Sequence, residues 1–166
     1  KEALHVAYVY MNQVNGPCAD QKVRKAILMA VDRQQICDGI WQYGEGSVAT
    51  LPLPKGSWGY DESVEADIPA YDPEGAKKLL SEAGYPDGMT LSYYYSTSTT
   101  GDKVATILQQ QLKNALNIDL DIHKGDWGTF SADAASGAAD IYSMSWTWYP
   151  DPYFFLNKIF SRVELG

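Results

Sequence analysis

Basic charge is in short supply in this 166-residue chain, where 13 Lys and Arg stand against 21 Asp and Glu for a net charge of -8. Nucleic acid and anionic membranes both need a basic face, so neither is expected as a partner. Histidine is scarcer still: His5 and His123 are the only two, and neither has a Cys or second His at ligand spacing. No metal site is therefore expected, and His123, at the end of a strand-like run, reads as a solvated rim residue. Cysteine is limited to Cys18 and Cys37, one ahead of a first helix and one inside a second. A bridge would need their Cα atoms within about 7 Å, and the reading favours two unbridged thiols.

Uninterrupted apolar runs are short. Residues 26–31 make one of the longest, far below the roughly 20 residues of a membrane-spanning helix. Catalytic signatures are missing as well. There is no Gly-x-Ser-x-Gly elbow, no histidine beside the serines of residues 96–100, and only one glycine in residues 96–101 with no Lys-Ser or Lys-Thr after it. A nucleophile beside a base, paired carboxylates with a second role, or a phosphate cradle would each need more than this. No catalytic residue and no cofactor is called for. The chain also lacks an initial Met and a visible signal peptide, and opens directly in strand-like sequence, as a mature product or an excised piece would.

What is present is an ordinary globular composition, 45% apolar and 20% charged, in a chain of one-domain size. Residues 4–11 read as a strand. Asp20 is a plausible N-cap for a helix whose Val23, Ala26, Ile27, Ala30 and Val31 recur at i, i+3, i+4, i+7 and i+8, and Asp32 for a shorter one through Ile40. Residues 45–71 hold Pro52, Pro54 and Pro69 with no helical period, a long Pro/Gly-rich loop whose Trp58 is expected to pin it to its own domain. Asp72-Pro73-Glu74 then starts a helix that stops at Gly84, with Ala76, Leu79, Leu80 and Ala83 as its apolar stripe.

After that come three strand-then-helix units. Strands are expected at residues 89–95, 118–122 and 141–148, and helices at about 102–116, at 126–137, and from Asp151-Pro152 onward. Alternation of this kind implies an α/β fold with a mixed, mainly parallel sheet flanked by helices. The carboxyl ends of those strands then face one way, which is where doubly wound sheets bind ligands. The loops gathered there are Ser96 to Thr100 with their hydroxyls, Lys124-Gly125-Asp126-Trp127, and Trp146-Thr147-Trp148-Tyr149. Aromatic faces with interspersed hydroxyls are recognition equipment rather than a reaction centre. We take Ser96, Trp127, Trp146, Trp148 and Tyr149 as the candidate ligand-binding residues. Trp146 reads equally well as core beneath a helix, whereas Trp148 and Tyr149, beside Pro150, read as exposed. Asp126 and Asp151 read as helix caps.

Several motifs, in order along nearly the whole chain, carry a family likeness. They are Asp20-x-x-Val23-Arg24-x-Ala26-Ile27, Ala30-x-Asp32-Arg33-x-x-Ile36, Trp58-Gly59-Tyr60-Asp61, Tyr71-Asp72-Pro73-Glu74-x-Ala76-Lys77-x-Leu79-Leu80-x-x-Ala83-Gly84-Tyr85-Pro86, Gln111-Leu112, Trp127-x-x-Phe130 and Tyr149-Pro150-Asp151-Pro152. Jointly they resemble the second lobe of the family 5 extracytoplasmic solute-binding proteins, the peptide- and nickel-binding components of ABC importers. The resemblance implies one lobe of a type II periplasmic-binding-protein-like fold over residues 1–166, part of a larger two-lobed protein that encloses its ligand. Its partners would be a small-molecule or peptide ligand, an ABC permease in the membrane, and the remaining lobe of the same chain. It would work outside the cytoplasmic membrane, in a periplasm or lipid-anchored.

The resemblance also places Ser96, Trp127 and Trp146 on pocket-lining positions of peptide-binding members. Such members carry arginines where Ala134 and Ser143 stand, and an Asp where Trp148 stands, in a loop one residue longer. Those departures imply a glycan, an opine-like compound, or a peptide held by its side chains and backbone. A carbohydrate-binding accessory domain of an extracellular enzyme, using Trp127, Trp146 and Trp148, is the alternative from another class. A third is a structural domain whose aromatics are all core.

Overall fold

The computed structural model describes residues 5–41, 43, 46–147, 151–153 and 156–157. Its chain divides into two compact units: the larger is Val9–Val48 with Pro69–Met144, and the smaller is Lys1–Tyr8, Ala49–Ile68 and Ser145–Gly166.

One sheet has strand order β1-β4-β2-β3, in which β1 is His5–Met11, β2 Met89–Ser96, β3 Ile118–Gly125 and β4 Ile141–Thr147; β2, β3, residues 9–11 of β1 and residues 141–144 of β4 belong to the larger unit. Strand β2 pairs in parallel with β3 from Met89↔Ile118 to Ser96↔Gly125, and with β4 from Tyr93↔Ile141 to Tyr95↔Ser143. Strand β1 runs the other way along β4. The Asn12 N–H donates to the Asp140 carbonyl at 2.8 Å, Tyr10 stacks on Tyr142, and His5 Nδ1 meets Thr147 Oγ1, so numbers rise on one strand as they fall on the other. The result is the expected α/β architecture, a mixed, mainly parallel sheet flanked by helices.

One face of that sheet carries the core. Leu91, Tyr93 and Tyr95 of β2 are buried in alternation, as are Ile118 and Leu120 of β3, while Asp119 and Asp121 between them are exposed. Period-2 burial of this kind is what a strand covered on one side requires. Against it lie α1 (Gln21–Ala30), α3 (Pro73–Glu82) and α4 (Thr99–Leu116), through Val23, Ala26, Ile27, Ala76, Leu80, Ala105, Leu108 and Leu112. Burying a Leu or Val side chain in such a core contributes about 1.5–3 kcal/mol. Helix α2 (Arg33–Ile40) follows α1 directly, and α5 (Trp127–Ser136) joins β3 to β4. Cys18 and Cys37 are both buried and unbridged.

The expected caps are in place. Asp20 accepts from the Lys22 N–H at 2.7 Å, Asp32 from Gln34 and Gln35, Asp72 from Gly75 at 2.9 Å, and Asp151 from Tyr153 at 2.9 Å. Each satisfies donors that a helix start leaves open. Two boundaries differ from the sequence reading. Helix α4 begins at Thr99 rather than Asp102, because Ser98 is its cap and accepts from the Gly101 N–H at 3.0 Å. Strand β3 runs on to Gly125 because β2 continues beside it to Ser96, which places His123 inside a strand rather than at its end.

A polar junction locks β4 to its neighbour. The Ser92 N–H and hydroxyl both donate to Asp140 Oδ2 at 2.8 Å, and the Asp140 N–H donates back to Ser92 Oγ at 2.9 Å. Gly16 lies so close that a Cβ there would sit 2.4 Å from Asp140 Oδ1.

The smaller unit has its own small core of Val6 and Leu53, with Tyr8 and Tyr60 packed against it. The Tyr8 hydroxyl donates to the Pro52 carbonyl at 2.5 Å, and the Tyr60 hydroxyl to Glu65. Within the stretch read as structureless loop, residues 62–67 form a 3-10 helix, Glu62–Asp67, capped by Asp61. Trp58 does not pin this segment: it is 80% exposed. Tyr60 does that work instead, because its hydroxyl finds Glu65 while its ring covers the small core.

Candidate functional site

In the larger unit the register sets the site. Ser96↔Gly125 brings the last residues of β2 and β3 level, and the Thr97 N–H and hydroxyl both donate to the Gly125 carbonyl, at 2.8 and 3.0 Å. From that edge two helices start at once. Ser98 caps α4, and Asp126 caps α5, accepting from the Thr129 N–H at 3.1 Å and its hydroxyl at 3.2 Å. Two helix N-termini therefore open at the carboxyl ends of the strands, each already supplied with a side-chain acceptor.

Trp127 is the first residue of α5 and 56% exposed. Its ring leans on Phe130, with centroids 5.7 Å apart at 49°, and Phe130 itself is buried. One edge of the indole is thus fixed while much of its surface stays open, a stacking platform on a rigid base. Ser96 is half-buried at the end of β2, level with Gly125.

Behind this edge runs a charged network. The Tyr95 hydroxyl donates to Asp102 Oδ1 at 2.6 Å, and Lys124 Nζ lies 3.3 Å from the same oxygen. The Tyr95 hydrogen bond, then Lys124, holds the Asp102 carboxyl below its ordinary range. Burial, helped by Asp102, pushes the Tyr95 phenol up to about 12. On the other face Tyr94 stacks on His123, centroids 4.4 Å apart at 13°, and His123 Nε2 is 2.9 Å from Asp121 Oδ2. Between these strands and α5 is a concavity of about 440 Å³ lined by Tyr94, Tyr95, Ile122, His123, Lys124, Gly125, Thr129, Phe130 and Asp133. Among the described residues no group of three or more His, Cys, Asp or Glu is placed to hold a metal.

Of the residues singled out in the sequence, Ser96 and Trp127 are brought to one edge of the larger unit. Trp146 belongs to the smaller unit, near the end of β4, where it is half-buried and so neither wholly core nor wholly exposed. Trp148 and Tyr149 lie outside the described residues. Ser143, at a position where the resemblance puts an arginine, exchanges a hydrogen bond with the Tyr93 hydroxyl at 2.7 Å, and Ala134 is half-buried on α5. The Tyr95–Asp102–Lys124 network escaped the sequence reading. Only the β2–β3 register, Tyr95↔Lys124, makes those three neighbours.

A family model described as bacterial extracellular solute-binding proteins, family 5, middle part, matches residues 1–165. The chain belongs to this family. It is 42% identical over 172 aligned positions to heme-binding protein A of Haemophilus influenzae, covering 100% of this chain and 31% of that protein. It is 30% identical to the dipeptide-binding protein of Escherichia coli, covering 95% of this chain and 30% of that one. Among solved structures, the ABC transporter-associated periplasmic binding protein DppA of Helicobacter pylori, in complex with the peptide STSA, superposes with a TM-score of 0.85 at 27% identity. That match covers 93% of this chain and 30% of the other. The chain thus spans about a third of the length of the relatives it matches. Family 5 is a family of solute-binding proteins rather than of enzymes, and its solved members give this chain the type II periplasmic-binding-protein-like fold.

Proposed function

We propose that this chain is one lobe of the solute-binding component of an ABC importer, capturing a peptide outside the cytoplasmic membrane and delivering it to a membrane permease. The observation that carries this reading is Trp127, an open indole on a rigid base at the carboxyl ends of parallel strands. Family membership and the peptide ligands named for the Escherichia coli and Helicobacter pylori relatives support it. Ser96 and Trp127 of the larger unit are the residues assigned to ligand contact. The mechanism is binding rather than turnover: ligand bridges this lobe and the remaining lobe of the same protein, shifts a hinge from open to closed, and the closed form docks on the permease. The protein works in a periplasm or lipid-anchored at the outer face of the membrane, with no cofactor.

Calorimetric titration of the full-length protein with short peptides tests this. Saturable one-to-one binding is expected, with affinity falling about tenfold in Trp127→Ala, the loss of roughly 1.4 kcal/mol of stacking and burial. Binding as tight to residues 1–166 alone would contradict the two-lobe mechanism, because half the pocket would be absent.

A further inference from the structure

Resting on the reading that this chain is one lobe of a longer protein, we infer that Trp58 is an anchor on which the rest of that protein packs against the smaller unit, with or without ligand. Among the described tryptophans Trp58 is the most open, 80% exposed against 56% for Trp127. It does not sit on a slack loop. The Tyr60 N–H donates to the Ser57 carbonyl at 3.1 Å and Gly59 has φ +81°, as in a type II turn with Trp58 at its second position. Both feet of the turn are braced: the Ser57 N–H donates to the Pro54 carbonyl at 3.1 Å, and the Tyr60 hydroxyl is tied to Glu65. The indole is therefore displayed on backbone that is already ordered, which lowers the entropy lost when something covers it.

More apolar surface lies alongside. A Cβ on Gly59 would meet Pro152 Cγ at 3.5 Å, Tyr153 after that proline is 54% exposed, and Leu156 beyond it is 42% exposed. Exposed apolar residues grouped in this way mark an interaction surface. The occupant follows from where the chain runs. It spans about a third of the length of its relatives, and both of its ends, Lys1–Tyr8 and Ser145–Gly166, belong to the unit that displays Trp58. Chain outside residues 1–166 therefore joins the fold here. The unit's own core, Val6 and Leu53 under Tyr8 and Tyr60, is small, and a core of that size gains from such cover. Other occupants fit worse. Asp61, Glu62 and Glu65 follow the indole and repel an anionic membrane, and the net charge of -8 opposes the meeting of two copies.

The test is hydroxyl-radical footprinting of the full-length protein, read residue by residue by mass spectrometry, with N-acetyltryptophanamide as internal standard. Trp58 is expected to oxidise about fivefold or more slowly than the standard, with and without added short peptides and after tenfold dilution of the protein. A rate within about twofold of the standard overturns the inference. So does protection that appears only with peptide, which would make Trp58 a pocket residue, or protection lost on dilution, which would make the cover a second copy. Trp58→Ala should also lower the melting temperature of the full-length protein by about 3 °C or more, with at least half regained in Trp58→Phe; an uncovered indole would leave it unchanged. Trp127 in the same experiment reports on the ligand-binding reading. If peptide leaves Trp127 unprotected while Trp58 stays covered, that reading fails and the anchor stands.

Discussion

The two ends of the β2–β3 pair are made from the same parallel strands and are finished in opposite ways. At the amino ends the chain is closed by turn chemistry. Gly88 has φ +83°, and a Cβ there would sit 2.2 Å from the Asn117 carbonyl oxygen. Asn117 takes the left-handed conformation that ends α4, and its side-chain amide donates to the Asp87 carbonyl at 2.6 Å. Lys113 pairs with Asp119. Backbone approaches backbone here, beside a concavity of about 430 Å³ lined by Lys77, Tyr85, Asp87, Lys113 and Asn117. At the carboxyl ends the strands stop against helix N-termini, hydroxyls and an exposed indole. The contrast follows from chain direction, since each strand is entered from a helix end and left toward a helix start.

Substitutions at the two ends should separate these roles. The largest loss is expected from Phe130→Ala, which empties the base beneath Trp127. Unfolding in urea should show about 3–5 kcal/mol lost, and peptide affinity should fall as well. Gly88→Ala should cost about 2–3 kcal/mol, because the added Cβ meets backbone at a positive φ. Gly125→Ala at the opposite end meets the Thr129 Cβ at 3.4 Å and the Phe130 nitrogen at 4.0 Å, both ordinary contacts, and should cost about 1 kcal/mol or less. Equal costs at Gly88 and Gly125 would erase the comparison. Trp127→Ala should leave stability within about 0.5 kcal/mol while weakening binding about tenfold, the reverse of what a core tryptophan would do.

The smallest effect concerns acid. Asp126 is held below its ordinary value of 3.8, first by the Thr129 N–H and then by its hydroxyl. A depressed carboxyl stabilises the fold above its unfolded value and loses that contribution as pH falls through the folded one, because the unfolded chain then binds the extra proton. Asp126→Asn keeps the cap and removes the titration. Its unfolding midpoint should therefore fall less steeply than that of the unaltered protein between pH 5 and pH 2, and identical slopes would show that this carboxylate is not held by the helix start.

Much of this was legible in the sequence because local rules agreed with the fold. Asp20, Asp32, Asp72, Asp126 and Asp151 all cap where their spacing to the apolar stripes said they should, and Ile118-Asp-Leu-Asp alternates in burial as written. What escaped depends on contacts between distant residues. Strand order puts β4 between β1 and β2, and nothing in the local pattern of any one strand encodes that. The start of α4 was misplaced because Thr99 and Thr100 are poor helix formers read alone, while Ser98 as cap decides the matter. Trp58 was misjudged because a large aromatic in a Pro-rich loop gives no sign of which ring, its own or that of Tyr60, faces the small core. The place of Ser96 and Trp127 at the strand ends was legible because one closes β2 and the other opens the helix after β3. The pairing of Lys124 with Asp102 was not, because it needs the register that sets Lys124 beside Tyr95.

Tryptophan fluorescence of the full-length protein, titrated side by side with short peptides and with oligosaccharides, bears most directly on the receptor role given to this edge. Saturable change with peptide, reduced in Trp127→Ala, and none with oligosaccharide is the result we predict. Saturation by oligosaccharide with peptides inert would contradict it and make this surface a sugar-binding platform instead.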